Sequence, residues 1–346
     1  MKTKLSVAAM ALLLASCSSN DNDLLPENPV NATPIQVSQS VQGMVKTRAA
    51  VGVGSDVTAT VLVADGSSNN ADAADWANFS PVLANEVTED GGQNKLTARA
   101  TVSTASFKAG AKAEVSLNPI LYYHTNTSTK SWLAAVAPAG TVSGTTVTIP
   151  QTDGEQDVML ADAAEAGSSS SASEPELTFK HLTTQLNFEM KLTTQVSGGE
   201  WDGQTVSLKK ISVQDAQVPA EVNVAPASGK AGVSRWTDAA VMNVAGISSV
   251  ALGADAVRVG NPLMIQASGK VVIDAVISVG GTDITFSNVT IKKQDNTTNL
   301  STEAGKSHLI TLNVTEPLTP ADATKMTVTA TVTDWVAGDA GKADLN

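Results

Sequence analysis

An all-β fold of two tandem β-sandwiches is predicted for this chain by three observations. Apolar and polar residues alternate with a period of two over many short segments, which places the apolar side chains on one face of half-buried strands. After the leader, no long amphipathic helix is written anywhere. Apolar residues make up 42% of the chain but aromatics only 3%, so its cores must be built from Val, Ala, Leu, Ile and Thr, residues that suit packed sheets. At 346 residues the chain exceeds what one core usually serves. The tract Gly167–Ser173, GSSSSAS, has no side chain able to anchor a core and reads as a linker. The expected plan is therefore a leader over 1–16, a tether over 17–34, a sandwich over 35–166, a linker over 167–176 and a second sandwich over 177–346.

Met1–Cys17 begins with Lys2 and Lys4, continues through an apolar run from Leu5 to Leu14 and ends Leu14-Ala15-Ser16-Cys17. The run is short for a permanent span, and its flanks are those of an export signal. The ending resembles a bacterial lipobox, whose cysteine takes a diacylglycerol and becomes the new N-terminus. Ser18–Asp23 then reads as a flexible tether. As Cys17 is the sole cysteine, no internal disulfide forms. The formal charge is −12, and losing Lys2 and Lys4 makes it more negative still, so nucleic acid is not an expected partner.

Pro26, Pro29 and Pro34 keep the next stretch extended. Ile35, Val37, Val41 and Val45 fall on one alternating face, interrupted by Gln39 and Gly43, and the segment stops at Lys46-Thr47-Arg48. Beyond Arg48 and Ala49, a second strand carries Val51, Val53, Val57, Ala59, Val61 and Val63 up to the turn Asp65-Gly66-Ser67. The Asn- and Asp-rich loop from Asp65 to Asp75 lacks the calcium-loop spacing. Leu96–Val102 and Ala113–Leu117 alternate again. Trp132–Ala137 reads as a buried strand ended by Pro138, and Gln156–Ala161 as the strand before the serine tract. Trp76, Tyr122, Tyr123 and Trp132 read as packing residues; set side by side on an exposed face they would instead make a sugar-stacking platform.

In Leu177–Leu192 the alternation flips parity between His181 and Leu186, which predicts a bulge or bend, because a straight strand cannot bury both sets. Further strands follow at Val206–Val213, Val257–Ile265, Ile273–Val279, Ile284–Ile291 and Ile310–Val314, with a loop region over Pro219–Gly232 and a helical turn over Asp238–Ala245. Gly280-Gly281 is a hairpin turn signal. The cleanest alternation is Met326–Thr333, with Met326, Val328, Ala330 and Val332 on one face and threonines on the other.

Chemistry is sparse. His124, His181 and His308 lie far apart without metal spacing, and no nucleophile elbow, phosphate loop or dinucleotide fingerprint occurs. No catalytic residue, metal or cofactor is assigned, although a carboxylate pair meeting across a cleft leaves no local trace.

The order of the lipobox, Arg48 between two early strands, Trp132 with Pro138, Asp157–Ala161 before a polar tract, Phe179-Lys180-His181-Leu182 and Val328–Trp335 resembles the Bacteroidales fimbrillin family, the type V pilins. The resemblance spans nearly the whole chain. It implies two transthyretin-like, Greek-key sandwiches and a structural subunit of an adhesive fimbria, not an enzyme. It further implies a lipoprotein carried to the outer membrane on Cys17, cut between Arg48 and Ala49 by an arginine-specific protease. Release of the first strand, with Ile35, Val37, Val41 and Val45, would empty a groove. A C-terminal strand of another subunit, with Met326, Val328, Ala330 and Val332, would fill it, unless the tail 336–346 is the inserting piece. The implied partners are other fimbrial subunits, the outer membrane before processing and a host or bacterial surface ligand. The competing expectations are a tip or anchor subunit, an anchored glycan-binding lipoprotein, and a hydrolase.

Overall fold

Strands form wherever the period-two pattern is written, and the computed structural model describes them over residues 28–42, 51, 53–67, 71–293, 297–316 and 327–334. In the first half they are β1 (Ser38–Val41), β2 (Asp56–Asp65), β3 (Glu86–Asp90), β4 (Gln93–Ala98), β5 (Val102–Lys108), β6 (Ala113–Glu114), β7 (Ser116–Asn118), β8 (Ser131–Ala137), β9 (Thr141–Ser143), β10 (Thr146–Thr148), β11 (Met159–Ser168), β12 (Ser171–Ala172) and β13 (Glu176–His181). The second half adds β14 (Thr184–Thr194), β15 (Val206–Ala216), β16 (Pro219–Asn223), β17 (Gly232–Trp236), β18 (Ala240–Asn243), β19 (Val250–Ala251), β20 (Val257–Ile265), β21 (Val272–Val279), β22 (Thr282–Thr290), β23 (Lys306–Thr315) and β24 (Thr327–Asp334). Among the described residues the only helical element is the 3-10 turn Trp76–Asn78. The predicted all-β class holds.

The largest sheet runs β6-β1-β13-β11-β8-β2-β5-β7, with β12 paired to β11. Because β6 and β7 are consecutive and pair with opposite ends of this order, the sheet closes on itself. Its inner face buries Val37, Val41, Val61, Leu133, Met159 and Phe179. Its outer face buries Leu62, Ala134, Val136 and Leu160 against the small sheet β17-β16-β10-β9. Covered on both faces, β8 is buried at every residue, which is why Trp132–Ala137 reads as a continuous apolar run rather than an alternating one.

The second sandwich faces the sheet β20-β14-β23-β24 against β18-β15-β21-β22, with Leu186, Phe188, Ile211, Ile277, Phe286 and Ile310 between them. The β21–β22 hairpin turns at Gly280 and Gly281, with φ of 54° and 95°. Two consecutive positive φ values make the turn whose twist matches a hairpin, and glycine adopts them without strain.

Four expectations are corrected here. Gly167–Ser173 is the hairpin joining β11 to β12, in which Gly167 pairs with Ala172; Gly167 takes φ +75° and an added Cβ would lie 2.2 Å from the Ser171 carbonyl oxygen. Small polar residues supply a tight turn as readily as a tether. Second, Leu177–His181 belongs to the first sheet, through β11 and β1. The chain passes to the second sandwich at Leu182 and Thr183, so the bend that the parity flip predicts is present at Thr183 and carries a change of sheet. Third, the loop expected over Pro219–Gly232 is confined to residues 224–231: β16 reaches back to pair with β10 of the first half and β17 pairs with β16, burying Val222 and Val224. Fourth, the helical turn expected over Asp238–Ala245 is strand β18, paired with β15.

Candidate functional site

The first strand lies within the closed sheet, between β13 and β6. On one side β1 runs parallel to β13, with Ser38, Gln39, Ser40 and Val41 opposite Glu176, Leu177, Thr178 and Phe179. On the other it runs antiparallel to β6. Period two sends Ile35, Val37, Gln39 and Val41 inward, and all four are buried. They meet a core that contains Leu121, Tyr123 and Leu177 and the stacked rings of Phe107 and Phe179, 5.2 Å apart.

Main-chain bonds hold this arm along its length. The N–H groups of Ser38 and Gln42 donate to the carbonyls of Pro175 and Phe179 at 3.0 and 2.9 Å, and the Val115 N–H donates to the Val37 carbonyl at 3.0 Å. Upstream, Ile35 N–H donates to Leu121 and Tyr123 N–H to Thr33, at 2.8 and 2.9 Å, around an antiparallel bridge between Pro34 and Tyr122. Arg99 fixes that partner segment: its guanidinium donates to the Tyr122 carbonyl at 2.7 Å and pairs with Asp65, which also accepts from Ser131 at 2.7 Å. The Tyr123 hydroxyl donates to the carbonyls of Ala166 and Ser173 at 2.8 and 3.2 Å. Burial pushes the phenols of Tyr122 and Tyr123 above their ordinary value, so both remain neutral donors.

Gln39 departs from the apolar pattern. It is fully buried, its Nε2 donates to the Lys108 carbonyl at 3.1 Å, and its Oε1 has no hydrogen-bond partner among the described residues. The strand thus carries a defect as well as anchors. Ile35, Val37 and Val41 together contribute roughly 5 to 9 kcal/mol of burial, while an unsatisfied buried acceptor costs about 1 to 3 kcal/mol. Burial wins, so the strand stays seated, with less margin than an all-apolar strand would have.

Among the described residues, the C-terminal strand β24 pairs antiparallel with β23 along one edge only, setting Val328, Ala330 and Val332 opposite Leu312, Ile310 and His308. At the end of β23, the buried Glu316 carboxyl accepts N–H bonds from Val196 and Trp201 at 2.6 and 2.8 Å. Cys17, Val45, Arg48, Ala49, Met326 and the tail 336–346 lie outside the described residues.

The remaining candidates sit in structural roles. His181 is buried against Asp157 at 2.8 Å, and His124 accepts a local N–H from Asn126. His308 is buried without a hydrogen-bond partner among the described residues, and burial lowers its pKa to about 4. Among the described residues no three His, Cys, Asp or Glu side chains gather as metal ligands. Trp132 and Tyr123 are buried and Trp76 packs on Phe79, so these aromatics do not form an exposed stacking face. Gln39, Arg99 and Glu316 were not singled out by the sequence reading. Gln39 had one signal, a polar residue in phase with the buried valines.

Comparison with known proteins gives the following. A family model described as fimbrillin-like matches residues 59–335, most of the chain. No curated protein matches. Among solved structures, the chain is similar to a protein from Bacteroides uniformis given a provisional cell-adhesion role, with 15% identity over 87% of this chain and 99% of that one, at a TM-score of 0.44. A fimbrial protein from Bacteroides vulgatus is 12% identical over 87% and 100% of the two chains, at 0.40. A fimbrilin from Porphyromonas gingivalis is 11% identical over 90% and 100%, at 0.38.

Proposed function

Since the chain belongs to the fimbrillin-like family, we propose that it is a structural subunit of an adhesive cell-surface fimbria that polymerises by exchanging its first strand for the C-terminal strand of a neighbour. The subunit is exported as a lipoprotein on Cys17, held at the outer membrane, and cut between Arg48 and Ala49 by an arginine-specific protease. Its partners are further fimbrial subunits, and a host or bacterial surface ligand at the fibre. No catalytic role is assigned.

The observation that carries this reading is the placement of β1 between β13 and β6. Removing a strand from the interior of a closed sheet leaves two unpaired edges facing each other across an apolar cleft. Such a cleft binds any strand whose apolar residues repeat at every second position, with main-chain bonds for affinity and side-chain pockets for register. Met326–Thr333 has that repeat. A head-to-tail contact of this kind does not close, so it propagates as a filament.

Mass spectrometry of sheared surface fibres tests the scheme. A mature N-terminus at Ala49 is expected for a polymerised subunit, and Arg48→Ala should leave the chain monomeric and labelled by a fatty-acid analogue at Cys17. Fibres in which every copy begins at lipidated Cys17 would overturn the strand-exchange route and leave an anchor subunit.

A further inference from the structure

The N-terminal arm rests on a second surface besides the gap in the large sheet. Residues 30 and 31 lie along the outer edge of β4, where the Val30 N–H donates to the Asn94 carbonyl at 2.9 Å. The side-chain amide of Asn31 donates to the Leu96 carbonyl at 3.1 Å and accepts from the Leu96 N–H at 2.8 Å. Asn31 thereby does what a neighbouring strand's peptide group would do. The Tyr122 hydroxyl ties Asn28 to the same region at 3.1 Å. The β3–β4 pair is otherwise a two-stranded sheet, and β3 is exposed throughout.

We propose that the outer edge of β4 is a second acceptor surface, uncovered when the arm leaves and refilled in the fibre by the chain beyond β24 of a second copy. This rests on the strand-exchange reading above, and it extends the contact between subunits to residues 93–98.

The eight residues of β24 match Pro34–Val41 in number and stop short of β4. Once the arm has gone, the Leu96 N–H and the carbonyls of Asn94 and Leu96 lose their partners and form an open strand edge, the kind of surface that templates further pairing. Exposed apolar side chains belong to the same two-stranded unit: Val87 on β3, opposite Leu96, is 45% exposed, and Leu83, just ahead of β3, is 67% exposed. They flank Asn85, whose side chain donates to the carbonyl of Ile120, itself 38% exposed.

The resident β1 is parallel to β13, and parallel pairing is slightly the weaker kind. An incoming strand of opposite sense would be antiparallel to β13, which pairs with four residues of β1, and parallel to β6, which pairs with only two; its continuation past Asp334 would run toward the β4 edge. That continuation, Trp335–Asn346, carries the apolar Trp335, Val336 and Leu345. It is long enough to replace residues 28–33.

Hydrogen exchange read by mass spectrometry separates the two surfaces. Peptides spanning 93–98 and 176–181 are followed in the unprocessed chain, in the cut subunit freed of its arm, and in filaments. Both peptides should lose protection on cutting, by roughly tenfold or more in rate where a backbone bond is lost, and both should regain it in filaments. Filaments of a variant ending at Asp334 should keep protection at 176–181 and lose it at 93–98. If 176–181 is protected again in full-length filaments while 93–98 still exchanges as in the cut subunit, the second surface is refuted and strand exchange stands. If 93–98 stays protected in the shortened variant, the tail is not the occupant and the proposal fails. If neither peptide is protected again, the strand-exchange reading itself falls.

Discussion

The buried amide of Gln39 sets how tightly the first strand holds its place, and replacing it should make the strand harder to displace. Gln39 loses all contact with solvent, keeps one bond from Nε2 to the Lys108 carbonyl and leaves Oε1 without a partner. Gln39→Met removes an unsatisfied acceptor worth about 1 to 3 kcal/mol and sacrifices a hydrogen bond worth about 0.5 to 1.5 kcal/mol. Met nearly matches Gln in length and is flexible enough to fill the vacated space. The Lys108 carbonyl gives up that donor, which trims the gain. The net expectation is a gain of roughly 1 kcal/mol, a factor of about 5 in affinity. The assay uses subunit cut after Arg48 and loaded with a fluorescent peptide of residues 28–48, from which unlabelled peptides compete. The Gln39→Met peptide should displace the label at about one fifth of the concentration needed by the natural sequence, and the same substitution in the whole chain should slow polymerisation after cutting. Equal or weaker competition would refute the argument, because it would mean that Oε1 is satisfied or that the cleft is shaped around the amide.

Other expectations follow from the same contacts. Val328→Asp should block polymerisation while leaving the groove able to accept a strand, because its carboxylate would be buried unpaired at a cost of several kcal/mol; mixed with Arg48→Ala chains, which keep a donor strand, it should give one-to-one complexes on size exclusion after proteolysis, and filaments of Val328→Asp alone would sink the donor assignment. His308 has a folded-state pKa of about 4 against an ordinary 6.5, so the unfolded chain binds more protons between these values. Stability of the second sandwich should therefore be full above about pH 6.5 and fall as the pH drops toward 4, and His308→Leu should flatten that part of the unfolding profile relative to the natural chain. Gly167→Ala should lower stability by more than about 1 kcal/mol, since its φ is +75° and the added carbon meets the Ser171 carbonyl; an unchanged melting temperature would return Gly167–Ser173 to the status of a slack tether.

Along a single strand, the sequence determined nearly everything. Period-two alternation marks which residues of β1, β2, β13, β14 and β23 face inward, and Ile35, Val37 and Val41 are buried as their spacing requires. The unbroken apolar run of β8 announces burial on both faces, and the glycine pair at 280 and 281 announces its hairpin. The order of loose motifs carries the family, in agreement with the match over residues 59–335. What alternation does not encode is the partner. A strand's period is the same whichever sheet it joins, so Leu177–His181 and Thr184–Thr194 look like one interrupted strand although Leu182 and Thr183 carry the chain from one sandwich to the other. For the same reason nothing local announces that β16 pairs with β10, more than seventy residues earlier in the chain. The site divides likewise. Its apolar face is local and legible, whereas the Asn31 contact with Leu96, the Gln39 contact with Lys108 and the Arg99 contact with Tyr122 arise only when distant backbone carbonyls come within reach. A carbonyl has no sequence signature, so hydrogen bonds to it are decided by the tertiary structure alone.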